Sequence, residues 1–271
     1  MITKAVVLCG GLGTRFLPIS KSIPKEMLPA INKPIIQYVV EEIAEAGIKD
    51  ILIVVGRGKE SIIDHFDKNI EVEEQMKKTR NGAALAELNK LTNMANIHFI
   101  RQIEPRGTGH AVLCAKTFVG ENPFLLHYGD ELFVANPSRT QQLIESFYKT
   151  GTSVIAVKEV KRAEVNRYGI VKPIYQDVIK IEEIVEKPEI EQAPSNLAYI
   201  GSAILEPQIF EYIHTECGRE EQGIIDAFNM MAKEKALYAA DIKGIRFDIG
   251  TPKGLIEVNN FLAKNTFPPI L

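Results

Sequence analysis

The chain has 271 residues, 45% of them hydrophobic, with 32 Lys and Arg against 35 Asp and Glu, for a formal net charge of −3. That length fits one large α/β domain or a domain with an appended lobe, and the apolar share suffices for a substantial core. The slightly acidic balance argues against non-specific nucleic-acid binding, which needs a basic surface, and no stretch reaches the roughly 18 apolar residues of a membrane span. Cys9, Cys114 and Cys217 lie far apart, without Cys-x-x-Cys or ligand spacing, and read as inert thiols of a reducing cytosol. The apolar run near the start is too short for a signal peptide, so the expectation is a soluble, cytoplasmic protein with no membrane or nucleic-acid partner.

The first apolar run, Ala5–Leu8, predicts a strand that stops at Gly10-Gly11-Leu12-Gly13. Pro34–Ala46 predicts an amphipathic helix closed by Gly47, Ile51–Val55 a second strand, and Lys59–Phe66 a helix. The charged stretch Glu71–Asn93 is poor in strand formers and reads as an insertion or exposed helical arm near the site. Then follow a strand at Ile97–Ile100, a helix at Gly109–Phe118, a strand at Phe124–His127, a helix at Pro137–Thr150 and a strand at Ser153–Val157. Such alternation implies a parallel sheet with helices on both faces. Beyond Val160, Tyr168–Ile174, Val178–Val185 and Leu197–Leu205 predict strands of a partly antiparallel lobe, and Ile224–Lys233 and Pro252–Ala263 predict closing helices. The expected fold class is therefore α/β, a Rossmann-like, mainly parallel sheet flanked by helices, with its cleft at the carboxyl ends of the strands. No repeat or linker divides the chain, so residues 1–271 read as a single domain.

A buried strand feeding a glycine cluster is a common way to hold phosphates, because backbone N–H groups approach an anion closely where no Cβ intervenes. Arg15 and Lys25 would supply countercharge, one as a planar fork and the other as a point charge. The P-loop pattern fails here, since no Gly-Lys-Ser/Thr follows at its spacing. The dinucleotide pattern fails too: Gly11-Leu12-Gly13-Thr14-Arg15-Phe16 has a phenylalanine at the third glycine position. Farther on, Asp130 follows an apolar strand in Tyr128-Gly129-Asp130; a carboxylate there suits Mg²⁺, or equally a turn. Gln102 offers the donor and acceptor that match a pyrimidine imide edge. His110 sits where a helix starts and reads as structural or as a phosphate neighbour, and Glu186-Lys187-Pro188 by itself reads as a surface turn.

The continuation of the glycine loop is more specific. Gly10-Gly11-Leu12-Gly13-Thr14-Arg15-Phe16-Leu17-Pro18, then Pro24-Lys25-Glu26-Met27-Leu28-Pro29, then Lys33-Pro34-Ile35-Ile36-Gln37-Tyr38 resembles the sugar-nucleotide pyrophosphorylases over nearly the whole chain. Within that family the long form of the motif, with Val54–Lys59 and Asp64-His65-Phe66-Asp67, looks most like the uridylyltransferase branch.

The resemblance implies transfer of a uridylyl group from UTP to glucose 1-phosphate, giving UDP-glucose and pyrophosphate, with Mg²⁺ as cofactor and a homodimer or homotetramer as the assembly. It implies catalytic roles for Arg15, Lys25 and Lys187, nucleotide contacts from Gly10, Gly11, Gly13, Thr14, Gln102 and Gly107, and sugar contacts from Gly129, Gly169, Glu186, Asn196 and Gly201. Asp130 and Asp248 would hold the metal, with Glu131 in support. Residues 1–158 would then form the nucleotide-binding part and 159–271 the sugar-binding and closing part. Cys9-Gly10-Gly11 and Asp248-Ile249-Gly250-Thr251 lean toward thymidylyl relatives, which keeps a dTTP–glucose-1-phosphate thymidylyltransferase as the alternative. Gly223 stands where relatives usually carry glutamine. A non-catalytic sugar-nucleotide sensor is the distant alternative; it would be expected to lose the acids and cations retained here.

Overall fold

The computed structural model describes residues 1–215, 223–234 and 237–266. Strand β1 (Lys4–Cys9) sends Ala5, Val7 and Cys9 into one buried layer and Val6 and Leu8 into another. Burial on both faces explains a run that is continuously apolar rather than alternating. After the glycine loop the chain makes three short 3-10 turns, at 14–16, 19–21 and 25–27, then a small ribbon of β2 (Pro29–Ala30) and β3 (Lys33–Pro34). Helix α1 (Ile35–Glu45) lays Ile36, Val39, Val40 and Ile43 on the layer of Val7. Gly47, at φ +91°, follows its end as the sequence predicts.

Strand β4 (Asp50–Val55) pairs parallel with β1 and leads into α2 (Glu60–Phe66). Helices α3 (Ile70–Lys78) and α4 (Gly82–Asn93), N-capped by Asn69 and Asn81, bury no residue fully and form the expected exposed arm. Strand β5 (Asn96–Arg101) extends the sheet beside β4. Where one helix was expected over 109–118 there are two, α5 (Gly107–Leu113) and α6 (Lys116–Val119). Strand β6 (Phe124–Tyr128) lies parallel to β1 on its other side.

The second half contains β7 (Glu131–Val134), α7 (Arg139–Thr150), β8 (Val154–Glu159), β9 (Gly169–Tyr175), β10 (Ile179–Glu186), β11 (Leu197–Leu205), α8 (Ile209–Thr215), α9 (Ile224–Glu234), β12 (Tyr238–Asp241), β13 (Ile245–Asp248) and α10 (Pro252–Thr266). A capping box between Ser138 and Gln141 starts α7, and Gly151 at φ +70° ends it. Nine strands form one sheet in the order β5-β4-β1-β6-β11-β8-β12-β10-β9. The parallel order holds across β5-β4-β1-β6, and β12 is parallel to β8. Antiparallel pairing enters at β11, which inserts between β6 and β8 and runs against both, and it continues through β10 and β9.

The sequence pattern missed α8 and five short strands, β2, β3, β7, β12 and β13. Of these, β7 and β13 form a second small antiparallel ribbon in addition to that of β2 and β3, with Glu131 opposite Asp248 and Phe133 opposite Arg246. The apolar side of the ribbon, Leu132 and Phe247, packs with Ile35 and Val258 in a satellite core. Among the described residues no helix is long and apolar enough to cross a membrane. Cys9 and Cys114 are free thiols, and Cys217 lies outside the described residues.

Candidate active site

A cleft of about 750 Å³ opens at the carboxyl ends of β1 and β6, between the parallel half of the sheet and the antiparallel half. Its walls carry Gly10, Gly11, Arg15, Gln102, Gly107 and Asp130 from the first half, and Gly169, Glu186, Lys187, Gly201 and Asp248 from the second. Gly13, Thr14, Lys25, Gly129 and Asn196 are not on the wall, and neither is any residue of the α3–α4 arm.

The glycine loop lies close to other parts of the site. A Cβ on Gly10 would come 3.0 Å from Gln102 Oε1, and one on Gly11 would come 3.1 Å from Lys25 Nζ. Gly13, at φ +68°, takes the left-handed conformation that opens the 14–16 turn, and Thr14 is exposed there. Gln102 donates through Nε2 to the Gly107 carbonyl (3.1 Å) and to His110 Nδ1 (3.0 Å), leaving Oε1 over Gly10 as the acceptor. His110 therefore orients Gln102, the structural of its two readings.

The two acids predicted to hold a metal converge. A Cβ on Gly250 would lie 3.1 Å from Asp248 Oδ1, 3.4 Å from Arg15 Nη1 and 3.8 Å from Asp130 Oδ2. Each acid has a cationic partner: Lys25 Nζ donates to Asp130, and Arg167 Nη2 donates to Asp248. Burial works to lower the Lys25 pKa, but Asp130 and Glu26 together hold it above the ordinary lysine value. Tyr168 donates its hydroxyl to Asp248 at 3.2 Å. Thr251, not Asp248, caps α10, accepting from the Gly254 N–H at 3.1 Å. Among the described residues no cluster of three or more ligand side chains could hold a metal. Two carboxylates around one point, completed by substrate phosphates and water, nonetheless fit the hard oxygen set that magnesium prefers.

On the wall formed by the second half of the chain, a Cβ on Gly169 would come 3.2 Å from Glu186 Oε2, so its lack of a side chain lets that carboxylate sit close. Lys187 lies at φ +44°, uncommon for a residue with a side chain, with Nζ 3.1 Å from Glu186 Oε1. Three of the residues expected to contact the sugar have close neighbours within the fold. Gly129 admits its neighbour strand rather than a ligand: a Cβ there would collide with Cys9 Sγ, and its N–H donates to the Leu8 carbonyl at 3.0 Å. Gly201, at φ +65°, makes room for Tyr128, whose ring would be 2.6 Å from a Cβ at that position. Asn196 is not on the cleft wall, and its Oδ1 accepts from Arg162 Nη1 at 3.4 Å. Gly223 lines the cleft in open space, where a Cβ would lie 3.8 Å from Asp226 Oδ2; Glu221 and Gln222 lie outside the described residues.

Several pairings in the site had no local signal. Glu131 accepts a bidentate pair from Arg246, at 2.8 and 2.6 Å, beneath the two acids. Burial pushes the Glu131 carboxyl above its usual range, with Arg246 opposing that shift. Arg246 and Arg167 both lie against the Tyr168 ring, 5.0 and 5.5 Å from its centre. Behind the glycine loop, Lys59 donates to Glu26 Oε2 at 2.6 Å, and both side chains are buried.

A family model described as "Nucleotidyl transferase" matches residues 4–265. The UTP–glucose-1-phosphate uridylyltransferase of Bacillus subtilis is 42% identical over 260 residues, 94% of this chain and 89% of the relative. UTP–glucose-1-phosphate uridylyltransferase 2 of Staphylococcus saprophyticus is 43% identical over 261 residues, 94% and 90% of the two chains. Among solved structures, apo-UDP-glucose pyrophosphorylase matches with a TM-score of 0.91 at 40% identity, over 98% of this chain and 100% of that one. UDP-glucose pyrophosphorylase complexed with UDP-glucose matches at 0.87 and 39% identity, over 97% and 99%. The UTP-bound enzyme of Acinetobacter baumannii matches at 0.90 and 35% identity, over 98% and 95%.

Proposed function

The chain belongs to the nucleotidyl transferase family, and on that footing we propose that it joins UTP to glucose 1-phosphate, forming UDP-glucose and releasing pyrophosphate. The observation that carries this reading is the meeting of Arg15, Asp130 and Asp248 around Gly250, opposite the glycine loop. The uracil ring is assigned to Gln102, whose free Oε1 accepts the imide N–H; cytosine has no such proton to offer. Thymine presents the same imide, so this contact does not separate UTP from dTTP. The uridylyl names of relatives at 42% and 43% identity support UTP.

The backbone N–H groups of the glycine loop and Arg15 receive the triphosphate, and Glu186, Lys187 and Gly169 face the sugar phosphate from across the cleft. A phosphate oxygen of glucose 1-phosphate attacks the α-phosphorus of UTP; the new P–O bond forms as the bond to the departing pyrophosphate breaks, in line. The attacking oxygen is already anionic, so no general base is required. The barrier is repulsion between polyanions, which Arg15, Lys25 and Lys187 offset while the loop fixes orientation. Asp130 and Asp248 would hold a divalent cation, which we take to be Mg²⁺; when bound it supplies further charge neutralisation on the phosphates. Residues 1–158 are assigned to the nucleotide and 159–271 to the sugar, with a homo-oligomer as the working assembly.

Pyrophosphate release tests the reading. UTP and glucose 1-phosphate with Mg²⁺ should give turnover, dTTP should give less, and removal of divalent cations should abolish it. Turnover with dTTP above that with UTP would favour the thymidylyl alternative, and nucleotide binding without pyrophosphate release would favour a sensor.

A further inference from the structure

We infer that Lys59 is a positioning residue for the nucleotide, holding the glycine loop's peptide planes so that their N–H groups face the triphosphate. The inference rests on the assignment of that loop to the triphosphate. Lys59 closes the loop Gly56-Arg57-Gly58 between β4 and α2, and it does not line the cleft. Its side chain is only 7% exposed. Nζ donates to the Gly11 carbonyl at 3.0 Å and to Glu26 at 2.6 Å. Gly56 addresses the preceding peptide: a Cβ there would come 3.1 Å from the Gly10 carbonyl oxygen.

Two successive carbonyls of the glycine loop therefore face the same backing segment. In a planar trans peptide the N–H points opposite to the C=O. The N–H groups of Gly11 and Leu12 are thus turned away from the 56–59 segment, in a stretch where Gly10, Gly11 and Leu12 all line the cleft. Successive N–H groups aimed at one side make an anion-binding concavity. A buried lysine is costly without a partner, and Glu26, 1% exposed beside Lys25, supplies one. The pair is not needed simply to fill space, since apolar residues of similar volume often do that as well or better. What a hydrophobic side chain cannot supply is the hydrogen bond that fixes the Gly11 carbonyl.

The experiment compares wild type, Lys59→Met, Glu26→Gln and the double variant Glu26→Gln/Lys59→Met. Each is examined by calorimetric titration with UTP and Mg²⁺, by initial rates against glucose 1-phosphate, and by thermal melting. Lys59→Met should weaken UTP binding at least about tenfold while the KM for glucose 1-phosphate changes less than about twofold, consistent with the loss of one oriented binding element. Glu26→Gln keeps an acceptor for Lys59 and the bond to Gly11; it should lower the melting temperature yet leave UTP affinity within about twofold. The double variant leaves no unpaired buried charge, so it tests the same loss if Lys59→Met fails to fold, and it should bind UTP as weakly. Wild-type affinity in Lys59→Met or in the double variant would overturn the inference, as would an equal loss of UTP affinity in Glu26→Gln. A wild-type protein that binds no UTP would overturn the functional assignment itself, and this inference with it.

Discussion

The two halves of the cleft are built by different means. On the parallel side one contiguous segment, Gly10 to Arg15, leaves a buried strand and presents backbone and Arg15 to the cleft, with Lys25 set behind the wall on Asp130. On the antiparallel side Arg167, Lys187 and the β13 pair Arg246 and Asp248 arrive from three separate stretches and are held by ion pairs and by the Tyr168 ring. Steric fit at glycines governs the first side, and charge pairing in partly buried surroundings governs the second. The first should be sensitive to added atoms and the second to removed charges.

The largest effect is expected on the second side. Arg246→Met leaves Glu131 buried without its cation and should cost about 3–5 kcal/mol of stability, read by chemical denaturation; a loss below about 1 kcal/mol would mean the pair behaves as a surface contact. Next come the acids on which both halves converge. Asp130→Asn or Asp248→Asn should lower turnover at least about a hundredfold, roughly the 2.7–4 kcal/mol of one preorganised group, without unfolding the protein; near-normal turnover would remove them from the site. On the first side, Gly129→Ala should destabilise by about 1–3 kcal/mol through its collision with Cys9 Sγ. Cys9→Ala should relieve part of that loss, and a double-mutant cycle measures how much.

The smallest effect lies near the carboxyl end of β6, in the buried layer behind the cleft. His127 is buried, donates through Nε2 to Thr140 Oγ1 at 2.9 Å, and is held well below its ordinary pKa of 6.5 by burial and then by Arg139. It folds neutral, so its contribution is complete above pH 6.5 and is lost as the pH falls below that value, by at most about 1.4 kcal/mol per pH unit. Denaturation midpoints between pH 7.5 and 5 should fall more steeply in wild type than in His127→Gln; parallel profiles would remove His127 as the cause.

The same contrast explains what could be read before folding. The glycine loop, Arg15 and Lys25 were legible because they share one short contiguous stretch after β1, and Asp130 because it follows the end of β6 by two residues. Gln102 was legible as an amide at a strand terminus, though its partner His110 came from the next helix. The pairs Lys59–Glu26 and Arg167–Asp248 join residues 33 and 81 positions apart, and nothing in local composition announces which charge will meet which. Strands β7 and β13 are four residues long and carry Glu131, Arg246 and Asp248, so their alternation is hidden by residues the site recruits. At Gly129 and Gly201 each glycine makes room for a neighbouring side chain, Cys9 and Tyr128, and only the fold reveals that neighbour.

The β7–β13 ribbon has one further consequence. Asp130 directly precedes its first strand and Asp248 ends its second, opposite Glu131 in register. Two acids 118 positions apart along the chain are thereby gauged by a pair of cross-strand hydrogen-bonded segments that stand off the main sheet. Their separation behaves like the jaws of a caliper locked by its own frame, independent of how wide the cleft stands between Arg15 and Lys187.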